Sequence, residues 1–200
     1  MDTVTIKNQI WGKKNLDLTK FQNGDDIFLS QNIEEWENAT KNKQPACCNY
    51  NFDENLGSIY GKIYNWYVIN DNRNICPPKF KIPDNDDWMS LIQNIDLKPV
   101  EVSFGYTPFN GSDKLMSKEY WDENSTKGND DFGFSALPGG CMSKNASFLN
   151  IGNQSMWWSS TEKNDIQAQV ISISGFNNNI MQSDTRKESY FGCYIRCVNE

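Results

Sequence analysis

Two adjacent tryptophans, Trp157 and Trp158, open a C-terminal segment crowded with amides and hydroxyls that closes on Cys193 and Cys197. An indole stacks well on sugar rings, and amides supply both donors and acceptors. Together they suit an adaptable recognition surface better than a bond-breaking site. Within QAQVISIS the polar and apolar alternation breaks where Val170 meets Ile171, which predicts a strand with a bulge at that point. Gln167, Gln169, Ser172 and Ser174 are then expected on one face, with Ala168, one of Val170 and Ile171, and Ile173 turned to the core. FNNNIMQSD reads as a turn and a return strand. The candidate ligand face therefore holds Asn164, Gln167, Gln169, Asn177, Asn178, Asn179, Gln182 and Tyr190. Neighbours on a strand point to opposite sides, so at most one of Trp157 and Trp158 is expected in the core, leaving the other free as a surface ring. The plainer alternative is a set of ordinary solvated positions in an asparagine-rich chain.

Other chemistries are sparsely supplied. The chain has 0 histidines, which excludes His-dependent triads, HExxH zinc sites and mixed Cys/His zinc sites. Asp122, Glu123, Asp130 and Asp131 are weak candidates for oxygen ligands to calcium, yet their spacing follows no EF-hand pattern. Solvated acidic loops, and no cofactor, are the expectation. No Ser, Lys or carboxylate pair has a spacing that suggests a nucleophile or an acid/base couple, so a non-enzymatic role is expected. A formal charge of −7 and a pI near 4.7, with no basic cluster, argue against a nucleic-acid partner. No apolar run reaches the roughly 18 residues of a membrane helix. The opening MDTVTIKNQIW has neither a basic nor an apolar leader region, so the chain is expected to be cytoplasmic, mature or excised from something longer.

The 6 cysteines are scattered and fit no CxxC spacing. Phe191, Cys193, Ile195 and Cys197 alternate onto one strand face, with Tyr190, Tyr194 and Arg196 on the other. Four residues of strand span roughly 13 Å, too far for Cys193 and Cys197 to bridge each other. Either each has a distant partner, such as Cys76 or Cys141, or both are buried thiols. Cys47 and Cys48 read as free thiols rather than a strained vicinal bridge.

The elements that must carry these residues fit one domain over 1–200, since a chain of this length with 38% hydrophobic and 13% aromatic residues can bury a single core. VTIKNQIW reads as a short strand leading into the turn GKKNLD, and FQNGDDI as a further turn. NIEEWENATKN predicts a short helix through Ile33, Trp36 and Ala39. GKIYNWYVIN suits a buried helix or a strand equally. Pro83 and Asp84, with Asp87 three residues beyond Asp84 and Trp88, Leu91, Ile92 and Ile95 at helical spacing, predict a capped helix over 84–95. Residues 96–130 read as loops with a short helical possibility around SDKLMSKEYW; DFGFSALPGG reads as an irregular buried turn, and the last 45 residues as three or four strands.

Six motifs in order then carry a resemblance: NQIWGKKNL, IYNWYVIND, ICPPKFKIPDNDDWMSL, DDFGFSALPGG, WWSSTE and CYIRCV. Together they resemble the Fibrobacter succinogenes major paralogous domain family over essentially the whole chain. Lys79 and Phe80 replace the family's usual Gly-Trp, Asp87 its Glu, and Tyr194 and Ile195 its smaller residues before Arg196 and Cys197. The resemblance implies an α+β, C-type-lectin-like fold: small mixed and antiparallel sheets, two helices, long irregular loops and adjoining chain ends. It implies a secreted or cell-surface domain that binds a protein or glycan, similar to the variable proteins diversified by retroelements. The family's single tryptophan before SST matches Trp158, which implies that Trp158 is core and Trp157 the available ring. The sugar-binding calcium motifs of C-type lectins, Glu-Pro-Asn, Gln-Pro-Asp and Trp-Asn-Asp, are missing. A structural module without a specific ligand is the alternative. An oxidase like the formylglycine-generating enzymes of this fold is a third reading, and for its copper it would need a cysteine pair that only Cys193 and Cys197 offer.

Overall fold

The computed structural model describes residues 1–99 and 108–200, so the loop reading over 100–107 lies outside the described residues. The chain opens with a hairpin of β1 (Thr3–Ile6) and β2 (Gln9–Gly12), reversed at Lys7, whose φ of 56° is left-handed. The sequence suggested one strand here and concealed the reversal. β3 (Phe28–Leu29) leads to α1 (Ile33–Lys41), where the Asn32 side chain accepts from the Glu35 amide at 2.9 Å and Trp36 and Ala39 are buried. β4 (Ala46–Cys48), a 3₁₀ turn at Tyr50–Phe52 and α2 (Glu54–Tyr60) follow. The ambiguous GKIYNWYVIN is both things in succession: β5 (Ile63–Asn65) runs directly into the single turn of α3 (Trp66–Ile69).

After β6 (Phe80–Lys81) comes α4 (Asn85–Asn94), and its capping box forms as the sequence predicted. Asp84 Oδ1 accepts from the Asp87 amide at 3.0 Å, and Asp87 Oδ2 accepts from the Asp84 amide at 2.9 Å. Trp88, Leu91 and Ile92 point inward. β7 (Lys98–Pro99) and β8 (Phe109–Asn110) precede a 3₁₀ turn at Ser112–Lys114, to which the helical expectation around SDKLMSKEYW shrinks. The remainder is sheet: β9 (Gly139–Met142), β10 (Phe148–Ile151), β11 (Gln154–Asn164), β12 (Gln167–Ser174), β13 (Asn179–Arg186), β14 (Gly192–Cys193) and β15 (Val198–Asn199). The fold is mixed α+β and mostly sheet, with 4 α-helices among the described residues where two were expected.

One sheet has the order β1-β2-β15-β6, so β15 pairs with β2 through Val198 and Trp11 and joins the two ends of the chain. The other runs β3-β4-β5-β14-β9-β11-β12-β13-β8-β7, with β10 added on β9. The long strands at its centre are covered on both faces. Trp157, Ile171 and Ile173 belong to one apolar cluster, and Trp158, Ala168 and Val170 to another. This arrangement corrects the expected bulge: β12 pairs with β13 residue for residue from Gln167–Arg186 to Ser174–Asn179. The apolar phase changes because the core changes sides, so Gln167 and Gln169 share a face with Ile171 and Ile173, while Ser172 and Ser174 share one with Ala168 and Val170. The irregularity lies instead in β11, between Trp158 and Glu162 and again before Asn164.

Cys197 forms a disulfide with Cys76 across 121 residues, while Cys47, Cys48, Cys141 and Cys193 are buried thiols. The distant-partner and buried-thiol readings are thus each right for one of the two C-terminal cysteines. No helix among the described residues is long and apolar enough to cross a membrane.

Candidate functional site

Five of the six sequence motifs converge on a buried aromatic cluster built around one cation, while IYNWYVIND packs largely on the other face of the sheet. Trp11 packs on Trp88 at 4.8 Å and on Phe134 at 5.7 Å, and Trp157 packs on Trp88 at 5.7 Å and on Phe134 at 5.9 Å. The Arg196 guanidinium, 0% exposed, stacks on Phe134 at 4.3 Å and faces the Trp157 ring at 5.5 Å. Its Nη1 donates to the Phe134 carbonyl and its Nη2 donates to Asn15 Oδ1 at 3.1 Å, while its Nε has no partner. Asn15 Oδ1 also accepts from Trp157 Nε1 at 2.8 Å, and its amide nitrogen donates to the Tyr60 carbonyl. Burial lowers Arg196 to about 9, against the opposing pull of the Asp130 charge, which leaves it cationic at neutral pH. On the other sheet face Trp158 Nε1 donates to the Tyr64 carbonyl at 2.8 Å, with Trp66 and Phe191 against its ring. These motif residues are spent on packing and cannot touch a ligand.

That placement corrects the choice of Trp157 as the exposed ring. Trp157 and Trp158 do point to opposite sides, but both sides are core, and each is 0% exposed. The most exposed ring among the described residues is Phe176, 70% exposed, in the turn between β12 and β13. Its signal was present in GFNNN: a large apolar residue inside a turn cluster has no strand phase that would bury it.

The turn is held firmly. The Gly175 amide donates to the Asn153 carbonyl at 2.9 Å, and the Gly175 carbonyl accepts from the Thr126 amide at 2.7 Å. A Cβ on Gly175 would lie 2.8 Å from Ser125 Oγ and 2.9 Å from the Trp121 ring, so glycine is required for this close approach. Asn178 is left-handed, with φ of 53°; its Oδ1 accepts from the Asp113 amide at 2.7 Å and its Nδ2 donates to Asp113 Oδ1 at 2.7 Å. Phe176 and Asn177 project from this frame, both exposed.

The other predicted face residues divide. Gln167, Gln169 and Gln182 share one face of β12 and β13, as their register requires. Gln169 is only 8% exposed, however, and its Oε1 lacks a partner. Asn164 lies at the far turn, its Oδ1 accepting from the Ile166 and Gln167 amides. Asn179 turns to the opposite face with a buried Oδ1, and Tyr190 lies away beside α1, its carbonyl accepting from Trp36 Nε1 at 2.8 Å. The predicted residues therefore do not form one continuous face, and only Asn177 and Asn178 accompany the exposed ring.

The four acidic candidates do not share a cation site either. Asp122 accepts from Asn153 Nδ2 beside the Phe176 turn, whereas Asp130 is bound by the Ser135 amide at 2.7 Å and by its hydroxyl at 2.6 Å. Among the described residues no three Asp, Glu or Cys side chains are grouped to hold a metal. The cysteine pair that a copper oxidase would need is also broken, because Cys197 is bonded to Cys76 and Cys193 is buried with its thiol pushed well above the ordinary value by burial.

Fold and site together define a small α+β domain whose motifs build a buried arginine and tryptophan cluster. The chain belongs to the Fibrobacter succinogenes major domain family, whose profile matches residues 4–199. No curated protein and no solved structure gives a significant match.

Proposed function

We propose that this is a non-enzymatic binding or adhesion domain that engages a protein or glycan through the turn between β12 and β13. The observation that carries this reading is Phe176, the most exposed of the large apolar side chains described, set among amides on a turn pinned to three other segments. A rigid aromatic anchor flanked by adaptable polar groups loses little entropy on binding. Asn177 supplies the free amide, and Asn178 fixes its backbone. A C-type-lectin-like assignment is supported by the pairing of β15 with β2, which joins the chain ends as that fold does. A secreted or surface location is supported by the Cys76–Cys197 disulfide, since such bonds persist in oxidising compartments.

The test is capture of the purified domain on arrayed glycans and surface-protein extracts, with calcium and with EDTA, comparing wild type with Phe176→Ser/Asn177→Ala. Saturable capture that withstands EDTA and is lost in the variant, at unchanged Tm, supports the proposal. Capture retained by the variant removes the turn from the site. No capture under any condition favours a structural module.

A further inference from the structure

A concave surface lies where the segment after β2 meets the loop 117–120 and the residues that follow Phe134, and neither Phe176 nor Asn177 lines it. It forms an open cleft of about 400 Å³ lined by Lys13, Lys14, Lys118, Tyr120, Asp130 and Ser135, and equally by Asp2 and Glu119. That volume suits one or two sugar rings within the usual range of small-ligand sites. Three lysines share this cleft in a chain of net charge −7, and none of them takes part in an ion pair among the described residues. Eight other lysines, at 20, 41, 43, 62, 81, 98, 163 and 187, are paired with carboxylates, so the unpaired state of these three leaves their ammonium groups open to an anion.

Tyr120 adds the second observation. It is 51% exposed, and its backbone holds a left-handed φ of 73°, an outlier for a bulky aromatic residue. Strain of this kind persists only where surrounding structure imposes it, and it concentrates at ligand sites. Tyr60 meets the Tyr120 ring edge-on at 6.0 Å, which steadies the ring without stacking over its face. Beneath the cleft, the Ser135 amide and hydroxyl hold Asp130, and the buried Arg196 cation lies one layer further in, at the Phe134 carbonyl.

We propose that this cleft binds an acidic saccharide, with the lysines receiving its carboxylate, Tyr120 stacking on a ring, and Asp130 and Glu119 accepting from its hydroxyls. The alternation of cations and carboxylates selects against an acidic peptide. A sugar carries one anion among many hydroxyl donors and uses both signs, whereas a run of glutamates would meet Asp2, Glu119 and Asp130 in repulsion. The inference stands on the cleft alone and not on the turn at Phe176.

Calorimetric titration of the full chain with trigalacturonate, neutral galactotriose and a hexaglutamate peptide tests it. Trigalacturonate should bind at least about tenfold more tightly than galactotriose, with affinity falling as salt rises, because unpaired surface cations set the preference. Lys13→Gln/Lys14→Gln/Lys118→Gln and, separately, Tyr120→Ala should each weaken trigalacturonate binding at unchanged Tm, while Phe176→Ser should leave it intact. Equal affinity for the neutral sugar, no binding of trigalacturonate, tighter binding of hexaglutamate, or loss of binding in the Phe176 variant would each overturn the proposal.

Discussion

Arg196 carries a charge into a place where, among the described residues, no carboxylate pairs with it, and the surrounding groups explain how it is tolerated. Two aromatic faces, one backbone carbonyl and the Asn15 side chain replace the water that the guanidinium loses. Asn15 is the economical partner, since one oxygen serves both Arg196 and Trp157. Replacing Asn15 by Leu should therefore cost about 1–3 kcal/mol for each buried donor left unpaired, measured by urea unfolding. A loss below that for one donor would mean that the cluster repacks around the vacancy. Arg196 was legible in sequence as one member of a strand face and of the closing motif CYIRCV, but not as a buried cation; its partner Asn15 lies 181 positions away, a distance that periodicity cannot bridge. Trp157 failed for a similar reason. Alternation correctly separates Trp157 from Trp158, but whether the second side faces solvent depends on what packs there from elsewhere.

At the scale of elements, local signals performed best where the cause is local. The capping box of α4 is made by residues three positions apart, so the sequence discloses it directly. Replacing Asp84 by Ala removes one orphan-amide acceptor and one partner of Lys81, which lies 2.9 Å away, and should cost about 1 kcal/mol in urea unfolding. No measurable loss would mean that Asp87 and solvent suffice to close the helix end. β12 shows the opposite case. Its phase change has two physical causes available, a bulge or a core that changes sides, and only the tertiary packing distinguishes them. The Phe176 turn is held by Asn153, Thr126 and Asp113, none of them near it in sequence. Gly175→Ala should disturb this frame by forcing the added methyl against Ser125 and Trp121, lowering both Tm and any capture that depends on the turn.

For the whole molecule, covalent closure and burial of ionisable groups set the response to conditions. The Cys76–Cys197 bond closes a loop of 121 residues and restricts the unfolded chain by roughly 4–5 kcal/mol on a chain-entropy model, so reduction should lower stability steeply. Cys47 and Cys141 are pushed up to about 12 by burial, and burial holds Cys48, Cys193, Tyr64 and Tyr194 well above their ordinary values. An unfolded thiol ionises near 8.5 while the folded one does not, so stability is complete below about pH 8 and declines as pH rises toward 12. Each thiol should remove roughly 1.4 kcal/mol per pH unit above its unfolded value, until its folded value is reached. A flat urea midpoint from pH 8 to 10.5 would contradict that burial. The proposed function divides the labour: the motif cluster folds the domain and the Phe176 turn meets the ligand. Urea unfolding of Arg196→Ala and Phe176→Ser beside wild type tests it most directly. Loss of roughly 3–5 kcal/mol in the first, with the second within about 0.5 kcal/mol of wild type, is the predicted result; an unaffected Arg196 variant or a strongly destabilised Phe176 variant would contradict it.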